Sequence, residues 1–221
     1  MNKIKNNGWL IWLISASLII AGLSIYWGDT AFGIISAVTG VACVVLTAKG
    51  YRAAFIVGAI NTLMYATIAL NSKYYGDFML NALYYFPMQF VGWKMWTANR
   101  NITGEIRAKS MTKQQGVKLL VFALIAIAVY SFILKALGGS LPIVDSISTV
   151  LSVIAMILSV KMFKEQWILW IVINSVSIFM WIVAVKDGAT DYATLMMWIV
   201  YLANSIWGYK HWTKLSKEGI K

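Results

Sequence analysis

Two tryptophans and an asparagine in one apolar stretch are the residues of this sequence best suited to hold a small molecule. The stretch reads WILWIVIN and places Trp167, Trp170 and Asn174 at positions i, i+3 and i+7. In a helix with 100° per residue these side chains fall within about 60° of arc and share one face. The spacing indicates a ligand-binding face. Trp167, close to Lys164, is also typical of a tryptophan at a membrane interface.

Polar and aromatic side chains follow helical spacing in two other stretches. Asn81, Tyr85, Gln89, Gly92 and Trp96 fall within about 80° of arc. A similar face recurs near the C-terminus, at Tyr201, Asn204, Gly208 and Trp212. Amides that face lipid would leave donors and acceptors unpaired, so they should face a cavity or another helix. For each amide, hydrogen bonding between helices is the alternative to ligand binding.

Catalytic and metal-binding patterns are absent from the sequence. It contains one histidine, His211, and one cysteine, Cys43, so neither a disulfide within the chain nor a thiolate metal cluster can form. It has no H-E-x-x-H, G-x-S-x-G or P-loop motif. We therefore expect no enzymatic activity, no metal and no cofactor.

The composition indicates that lipid surrounds most of the chain. Sixty per cent of the residues are apolar and 12% are charged, and the mean hydropathy is +0.73. Eight apolar stretches are long enough to cross about 30 Å of hydrocarbon as helices. They are 9–27, 31–48, 53–71, 78–98, 117–137, 144–160, 166–185 and 192–212. Because none alternates like a membrane barrel strand, we predict an all-α integral membrane protein with eight transmembrane helices.

The positive charges indicate the orientation in the bilayer. The net charge of +11 would suggest nucleic acid in a soluble protein. With eight crossings and a cytoplasmic N-terminus, 16 of the 19 Lys and Arg residues fall inside, and only Lys73, Lys135 and Lys186 fall outside. This is the positive-inside pattern. We predict cytoplasmic termini and no nucleic-acid partner.

An internal repeat divides the chain. GWKMWT at 92–97 returns as GYKHWT at 208–213, and ISAVTGVACVVLTAK at 35–49 aligns with ISTVLSVIAMILSVK at 147–161. The three crossings of the first triplet plus one linking crossing make four, an even number, so both triplets enter the membrane from the same side. The repeats are therefore parallel, as in one class of transporters. At the cytoplasmic end of each half we expect the lysine of G-x-K-x-W-T to snorkel and the tryptophan to anchor at the interface. The predicted division is 1–30 extra N-terminal helix, 31–98 first three-helix repeat, 99–116 basic cytoplasmic loop, 117–143 linking helix, 144–213 second three-helix repeat and 214–221 cytoplasmic tail.

The halves differ in the residues that would line a site between them. The stretch FIVGAIN keeps Asn61 but has Phe55 and Gly58 in place of the tryptophans. No Asp or Glu is predicted at mid-depth, which favours uncoupled transport, because coupled carriers usually keep an ionisable group there. Pro87 lies within the fourth helix and predicts a kink beside the site.

The stretch from Asp145 to Asn174 resembles the second repeat of the PnuC family of bacterial vitamin transporters. It reads DSISTVLSVIAMILSVK followed by EQWILWIVIN, and W-x-x-W-x-x-x-N is the ligand-binding motif of that family. The resemblance covers residues 33–213 and is weaker in the first half. It implies a 3+1+3 fold like that of full-length SWEET sugar transporters, assembled as a homotrimer in the bacterial inner membrane.

The implied substrate is nicotinamide riboside, an NAD precursor, taken up by facilitated diffusion and retained because a cytoplasmic kinase phosphorylates it. The motif places Trp167, Trp170 and Asn174 at the ligand. The remaining candidate positions are Asn81, Tyr85, Gln89, Asn61 and Asn204. The pyridinium ring of this ligand is a fixed cation, which an indole face attracts.

Three alternatives stay open at this point. Relatives in the family are thought to carry thiamine or riboflavin, and thiamine is also an aromatic cation. A membrane scaffold without a transport pathway would use the polar faces only as helix contacts. A channel is the third alternative, but the sequence has no ring of charged residues and no TVGYG filter motif.

Overall fold

Eight helices form the part of the chain that the computed structural model describes, which is residues 7–28, 30–71, 78–100, 104–138, 142–186 and 192–218. The helices are α1 (Gly8–Tyr26), α2 (Ala31–Lys49), α3 (Ala53–Asn71), α4 (a π-helical segment Leu80–Tyr85 continued by the α-helical segment Phe86–Ala98), α5 (Lys113–Ala136), α6 (Pro142–Val160), α7 (Gln166–Lys186) and α8 (Tyr192–Glu218). Five of them, α1, α2, α3, α5 and α6, are each long and apolar enough to cross a membrane. The prediction of an all-α, eight-helix membrane protein is confirmed.

Local signals explain where the helix ends differ from the predicted ones. We predict the fifth helix from residue 117, but α5 begins at Lys113 because Thr112 and Gln115 form a capping box. The Gln115 N–H donates to the Thr112 hydroxyl over 3.2 Å, and the Thr112 N–H donates to the Gln115 side chain over 3.0 Å. At the other end of the chain, α8 continues to Glu218, past the predicted end at 212. No glycine or proline interrupts residues 213–218.

A π-helical segment stands where the sequence predicts a kink. The N–H of Phe86 donates to the carbonyl of Asn81, the i→i+5 bond of a π-helix, and Pro87 follows in the first turn of the continuing α-helix. Proline has no N–H, and its ring clashes with the carbonyl four residues earlier in a regular α-helix. A π-helical turn immediately before Pro87 is a way of accommodating both effects.

The two helix triplets pack against each other through equivalent pairs of helices. Within the first triplet α3 packs against α2 and α4, and within the second α7 packs against α6 and α8. Between triplets, α2 packs against α8 and α4 against α6. Thus the first helix of each triplet contacts the last helix of the other. Outside the triplets, α5 lies against α6, while α1 lies against α2 and α8.

The tryptophans of the G-x-K-x-W-T repeats are buried at the junction of the triplets. Trp96 and Trp212 are both 0% exposed, so the prediction that they anchor at the membrane interface is wrong. The Trp96 indole donates to the Ser159 carbonyl over 3.0 Å. The Trp212 indole donates to the carbonyls of Thr47 and Ala48, both over 3.1 Å. Each tryptophan therefore ties its own triplet to the end of the first helix of the other.

The loop 104–112, which we call the strap, crosses the same end of the molecule and bonds to both triplets. The N–H of Ile106 donates to the Gly50 carbonyl over 3.0 Å, and the N–H of Lys109 donates to the Met162 carbonyl over 2.8 Å. Gly50 and Met162 follow α2 and α6, with φ of 80° and 63°. In both repeats, a residue in the left-handed backbone conformation follows the first helix and turns the chain. Its carbonyl then accepts a hydrogen bond from the strap.

A charged cluster fixes the strap at its first residues. Glu105 forms an ion pair with Lys49 at the end of α2. His211 of α8 lies with its Nε2 3.7 Å from the same carboxylate oxygen. Burial alone raises the pKa of Glu105, but the contacts with His211 and Lys49 outweigh burial and lower it from 4.5 to about 2.

Candidate ligand-binding site

The W-x-x-W-x-x-x-N face of α7 is turned into the second triplet, toward α8. Trp167 and Asn174 are each 2% exposed, and Trp170 is half-buried. The amide N–H of Asn174 donates to the Ser205 hydroxyl over 3.0 Å. That hydroxyl in turn donates to the Tyr201 carbonyl over 2.8 Å. Asn174 is thus held in one orientation by a chain of hydrogen bonds on α8.

A glycine on α8 makes room for Trp167. A Cβ atom at Gly208 would lie 2.7 to 2.8 Å from three atoms of the Trp167 indole, closer than packed side chains allow. The indole also meets Trp212 edge to face, with ring centroids 5.8 Å apart at 80°. Because the side chain is enclosed, the interpretation of Trp167 as an interfacial tryptophan is wrong. Its Nε1 has no hydrogen-bond partner among the described residues.

The first triplet repeats this arrangement with a smaller ring. The Phe55 ring lies directly over Gly92, as Trp167 lies over Gly208. Phe55 also meets Trp96 edge to face, with centroids 4.7 Å apart at 82°. The scaffold is therefore shared between the halves, whereas the ring it positions is phenylalanine in one and tryptophan in the other.

Gln89 occupies the space beside Gly58, the residue that stands where the second half has Trp170. A Cβ at Gly58 would lie 2.6 Å from the Gln89 Oε1 and 3.0 Å from the Cys43 sulfur. Gln89 is 7% exposed. The first half therefore places a buried amide where the second half places an indole.

Two of the predicted amides join helices. The Asn61 side chain donates to the Ser36 carbonyl over 2.7 Å and to the Thr39 hydroxyl over 3.3 Å. Asn61 lies next to Gly40, as does the Tyr201 hydroxyl of the opposite half. These bonds tie α3 to α2.

Asn204 uses both amide atoms in contacts between helices. Its N–H group donates to the Val44 carbonyl over 2.9 Å, and its oxygen accepts from the Trp12 indole at 3.4 Å. Asn204 therefore links α8 to α2 and α1, which supports the helix-contact alternative at this position.

The aromatic candidates from the two halves meet in one cluster. Tyr85 and Trp170 pack against the buried group that contains Trp96, Trp167 and Trp212. The neighbouring Tyr84 hydroxyl donates to the Val153 carbonyl of α6 over 2.8 Å. Tyr85 of α4 and Trp170 of α7 therefore pack against the same buried cluster, which includes Trp167. Asn61 and Gln89 are placed elsewhere: Asn61 bonds to α2, and Gln89 lies beside Gly58 of α3. Asn81 lies in the π-helical segment, half-buried.

Sequence reasoning missed two polar residues beside this face. Gln166 is 0% exposed and Ser205, the partner of Asn174, is 3% exposed. Gln166 lies four residues before Trp170, a helical spacing that was visible in the sequence.

A groove of about 430 Å³ lies elsewhere, between α5 and α6. Its lining is almost entirely apolar and includes Phe122, Tyr130 and Val150. None of the predicted binding residues lines it. It is a separate feature of the apolar outer surface.

Comparisons with known proteins agree with one another. The family described as nicotinamide mononucleotide transporter matches residues 30–214. The chain is 37% identical over 214 residues to a Neisseria mucosa protein named nicotinamide riboside transporter PnuC, covering 94% of this chain and 81% of the relative. It is 35% identical over 221 residues to the Haemophilus influenzae protein of the same name, covering 96% and 94%.

A solved structure gives the same result. The chain resembles the crystal structure of the vitamin B3 transporter PnuC with a TM-score of 0.83 and 36% sequence identity. The match covers 95% of this chain and 92% of that one.

Proposed function

The chain belongs to the PnuC family of transporters, and from that premise we propose that it carries nicotinamide riboside into the cell by facilitated diffusion. The resemblance drawn from the W-x-x-W-x-x-x-N motif is thereby confirmed, and the protein is a membrane transporter rather than an enzyme. After entry, a cytoplasmic kinase retains the nucleoside by phosphorylation. Residues 31–98 and 144–213 form the two halves, assembled as homotrimers in the inner membrane with cytoplasmic termini.

The placement of the α7 tryptophans is the observation that supports nicotinamide riboside as the substrate. Trp170 is half-buried and packs against the buried cluster that contains the enclosed Trp167 together with Trp96 and Trp212. An indole face attracts a desolvated cation by about 1 to 2 kcal/mol. The pyridinium ring of nicotinamide riboside is such a cation, and its ribose and carboxamide can bond with neighbouring amides.

The same residues favour the nucleoside over its phosphate ester. The predicted binding residues are Trp167, Trp170, Asn174, Gln89, Tyr85, Asn81, Asn61 and Asn204. None of these side chains carries a positive charge. A phosphate in such an environment would lose its hydration without gaining an ion pair, which is costly. We therefore assign nicotinamide riboside, rather than the mononucleotide, as the substrate.

The position of the carboxylates supports uncoupled transport. Glu105 lies in the strap and Glu165 lies just before α7, where its side chain accepts from Ser110 and Met111. Asp145 lies in the first turn of α6. These acids are near helix ends, whereas coupling to protons or sodium usually uses an ionisable group at mid-depth.

A parallel titration tests the substrate. Purified protein is titrated by calorimetry with nicotinamide riboside, nicotinamide mononucleotide, thiamine and riboflavin. We expect binding of nicotinamide riboside at least about tenfold tighter than that of the others, about 1.4 kcal/mol. Tighter binding of thiamine, the other aromatic cation, would replace this substrate with the second candidate.

Counterflow in liposomes tests the mechanism. Vesicles preloaded with unlabelled nicotinamide riboside should take up labelled ligand without any ion gradient. Accumulation driven by a pH or sodium gradient alone would overturn facilitated diffusion. Absence of counterflow with intact ligand binding would favour the scaffold alternative.

A further inference from the structure

Gln166 is fully buried, yet its side chain is unsatisfied. It is 0% exposed, and neither its Oε1 nor its Nε2 has a hydrogen-bond partner among the residues that the structure describes. Burial of an unpaired polar group is unfavourable, because the group loses its hydrogen bonds to water without replacing them. A buried primary amide with both ends unsatisfied is therefore a site where a missing partner is expected.

Gln166 lies at the edge of the binding face of α7, on the side of Trp170. At 100° per residue, Gln166 is about 40° from Trp170 and about 80° from Asn174. Trp170 follows by one helical turn, a rise of about 6 Å. Gln166 directly precedes Trp167, so it widens the W-x-x-W-x-x-x-N face on the side of Trp170, from about 60° to about 100° of arc.

A second unsatisfied donor stands next to it. The Trp167 indole N–H is buried and has no partner in the described part of the chain. The backbone of this turn is already satisfied, since the N–H groups of Gln166, Trp167 and Ile168 donate to the carbonyls of residues 163, 164 and 165. The unsatisfied hydrogen-bonding groups of this turn are therefore the two side chains and not the backbone N–H groups at the helix N-terminus.

At the corresponding positions of the first half, both side chains are apolar. Ala54 and Phe55 stand where the second half has Gln166 and Trp167, and they are 1% and 5% exposed. The shared scaffold can thus bury two apolar side chains at these positions. Packing alone does not explain a glutamine in the second half.

We infer that Gln166 binds the carboxamide of the nicotinamide ring when that ring lies against Trp170. A glutamine amide offers one N–H and one carbonyl to a second primary amide, which returns one carbonyl and one N–H. Both unsatisfied ends of Gln166 are used in this pairing. The residue thereby selects a primary amide over an acid on the pyridinium ring. This inference rests on the proposed transport of nicotinamide riboside.

The test compares two ligands on two proteins. Calorimetry measures nicotinamide riboside and nicotinic acid riboside, which has a carboxylate in place of the carboxamide, against wild type and Gln166→Met. Methionine has a similar volume and no amide. We expect wild type to prefer the amide at least about tenfold, and Gln166→Met to reduce this preference to less than about threefold. Gln114→Met, at an exposed glutamine of α5, should keep the wild-type preference.

The outcomes separate this inference from the substrate itself. If wild type binds neither riboside, the proposed function fails. If wild type binds nicotinamide riboside and Gln166→Met lowers both affinities by the same factor, Gln166 only supports the fold and the inference is overturned. If Gln166→Met does not fold, the affinities of wild type for the two ribosides decide. Equal affinity of wild type for the amide and the acid would overturn the inference.

Discussion

The indole rings of Trp96 and Trp212 lie 5.5 Å apart, and each donates its N–H to a backbone carbonyl of the opposite triplet. The accepting residues, Ser159 and Thr47, are 112 positions apart, which is the offset between the aligned first helices of the repeats. The repeated G-x-K-x-W-T motif therefore forms a reciprocal connection between the halves. Its lysines, Lys94 and Lys210, remain exposed, as expected for snorkelling residues.

Removing either of these indole hydrogen bonds should destabilise the protein to a similar extent. Trp96→Phe and Trp212→Phe keep an aromatic ring but remove the indole N–H. The Ser159 and Thr47 carbonyls keep a backbone donor, so each variant should lose the net contribution of a hydrogen bond, about 0.5 to 1.5 kcal/mol. Thermal unfolding in detergent measures the loss. Trp9→Phe serves as control, because Trp9 is half-buried and pairs edge to face with Tyr51. An unchanged melting temperature in both variants would contradict the reciprocal connection.

Gly208→Ala and Gly92→Ala should separate stability from ligand binding. An added Cβ meets the Trp167 ring in the first variant and the Phe55 ring in the second, so both should lower the melting temperature. Only Gly208→Ala displaces a predicted ligand contact. We expect it to weaken nicotinamide riboside binding at least about fivefold, about 1 kcal/mol, and Gly92→Ala to change it less than about twofold. Equal effects on affinity would mean that Trp167 has no specific part in binding.

Trp170→Ala should weaken binding of nicotinamide riboside by about tenfold or more, because the cation loses its indole face. Trp170→Phe keeps a weaker aromatic face and should fall between the alanine variant and wild type. Phe179→Ala removes an exposed ring from the same helix and is the matched control. Calorimetry measures all three, and unchanged affinity in Trp170→Ala would refute the role of this indole.

The sequence was sufficient for the helices and for the face of α7, because length, hydropathy and helical spacing are local properties. It was not sufficient for Trp212, since a tryptophan near lysines at the end of an apolar helix is also typical of the membrane interface. Its burial depends on the second half of the protein meeting the first. The start of α5 was missed for a different reason, because the capping box at Thr112 is a local signal that hydropathy does not register.

The site was predicted with the same limits. Spacing predicts that Trp170 and Asn174 share one face of α7, but it does not distinguish an amide that binds ligand from one that joins helices. Asn204 belongs to the second kind in the structure, with both amide atoms used by Val44 and Trp12. Gln166 differs from Asn204, because its amide has no hydrogen-bond partner among the described residues. In the sequence it reads as an ordinary polar residue at a helix start, and only the structure shows that it is buried.

Pro87→Ala should slow transport more than it weakens binding. Alanine removes the clash that favours the π-helical segment Leu80–Tyr85, so α4 can become regular and more rigid beside Tyr85. We expect the counterflow rate to fall at least about twofold, while affinity by calorimetry stays within about twofold. Pro142→Ala is the control, because this second proline begins α6, a position where proline fits a helix. Equal rates for wild type and Pro87→Ala would exclude a role in gating.

Glu105→Gln should destabilise the protein in a pH-dependent way. The pKa of Glu105 in the folded protein is about 2, below its ordinary value of 4.5. The ionised carboxylate therefore stabilises the fold fully above about pH 4.5, and this contribution is lost as the pH falls toward 2. In detergent, the variant should melt about 2 to 5 °C below wild type between pH 5.5 and 8, and the gap should close below pH 4.5. The variant Lys49→Gln tests the cause, because without this ion-pair partner the same Glu105→Gln change should cost less. A gap that grows on acidification would show that the carboxylate is not held ionised by Lys49 and His211.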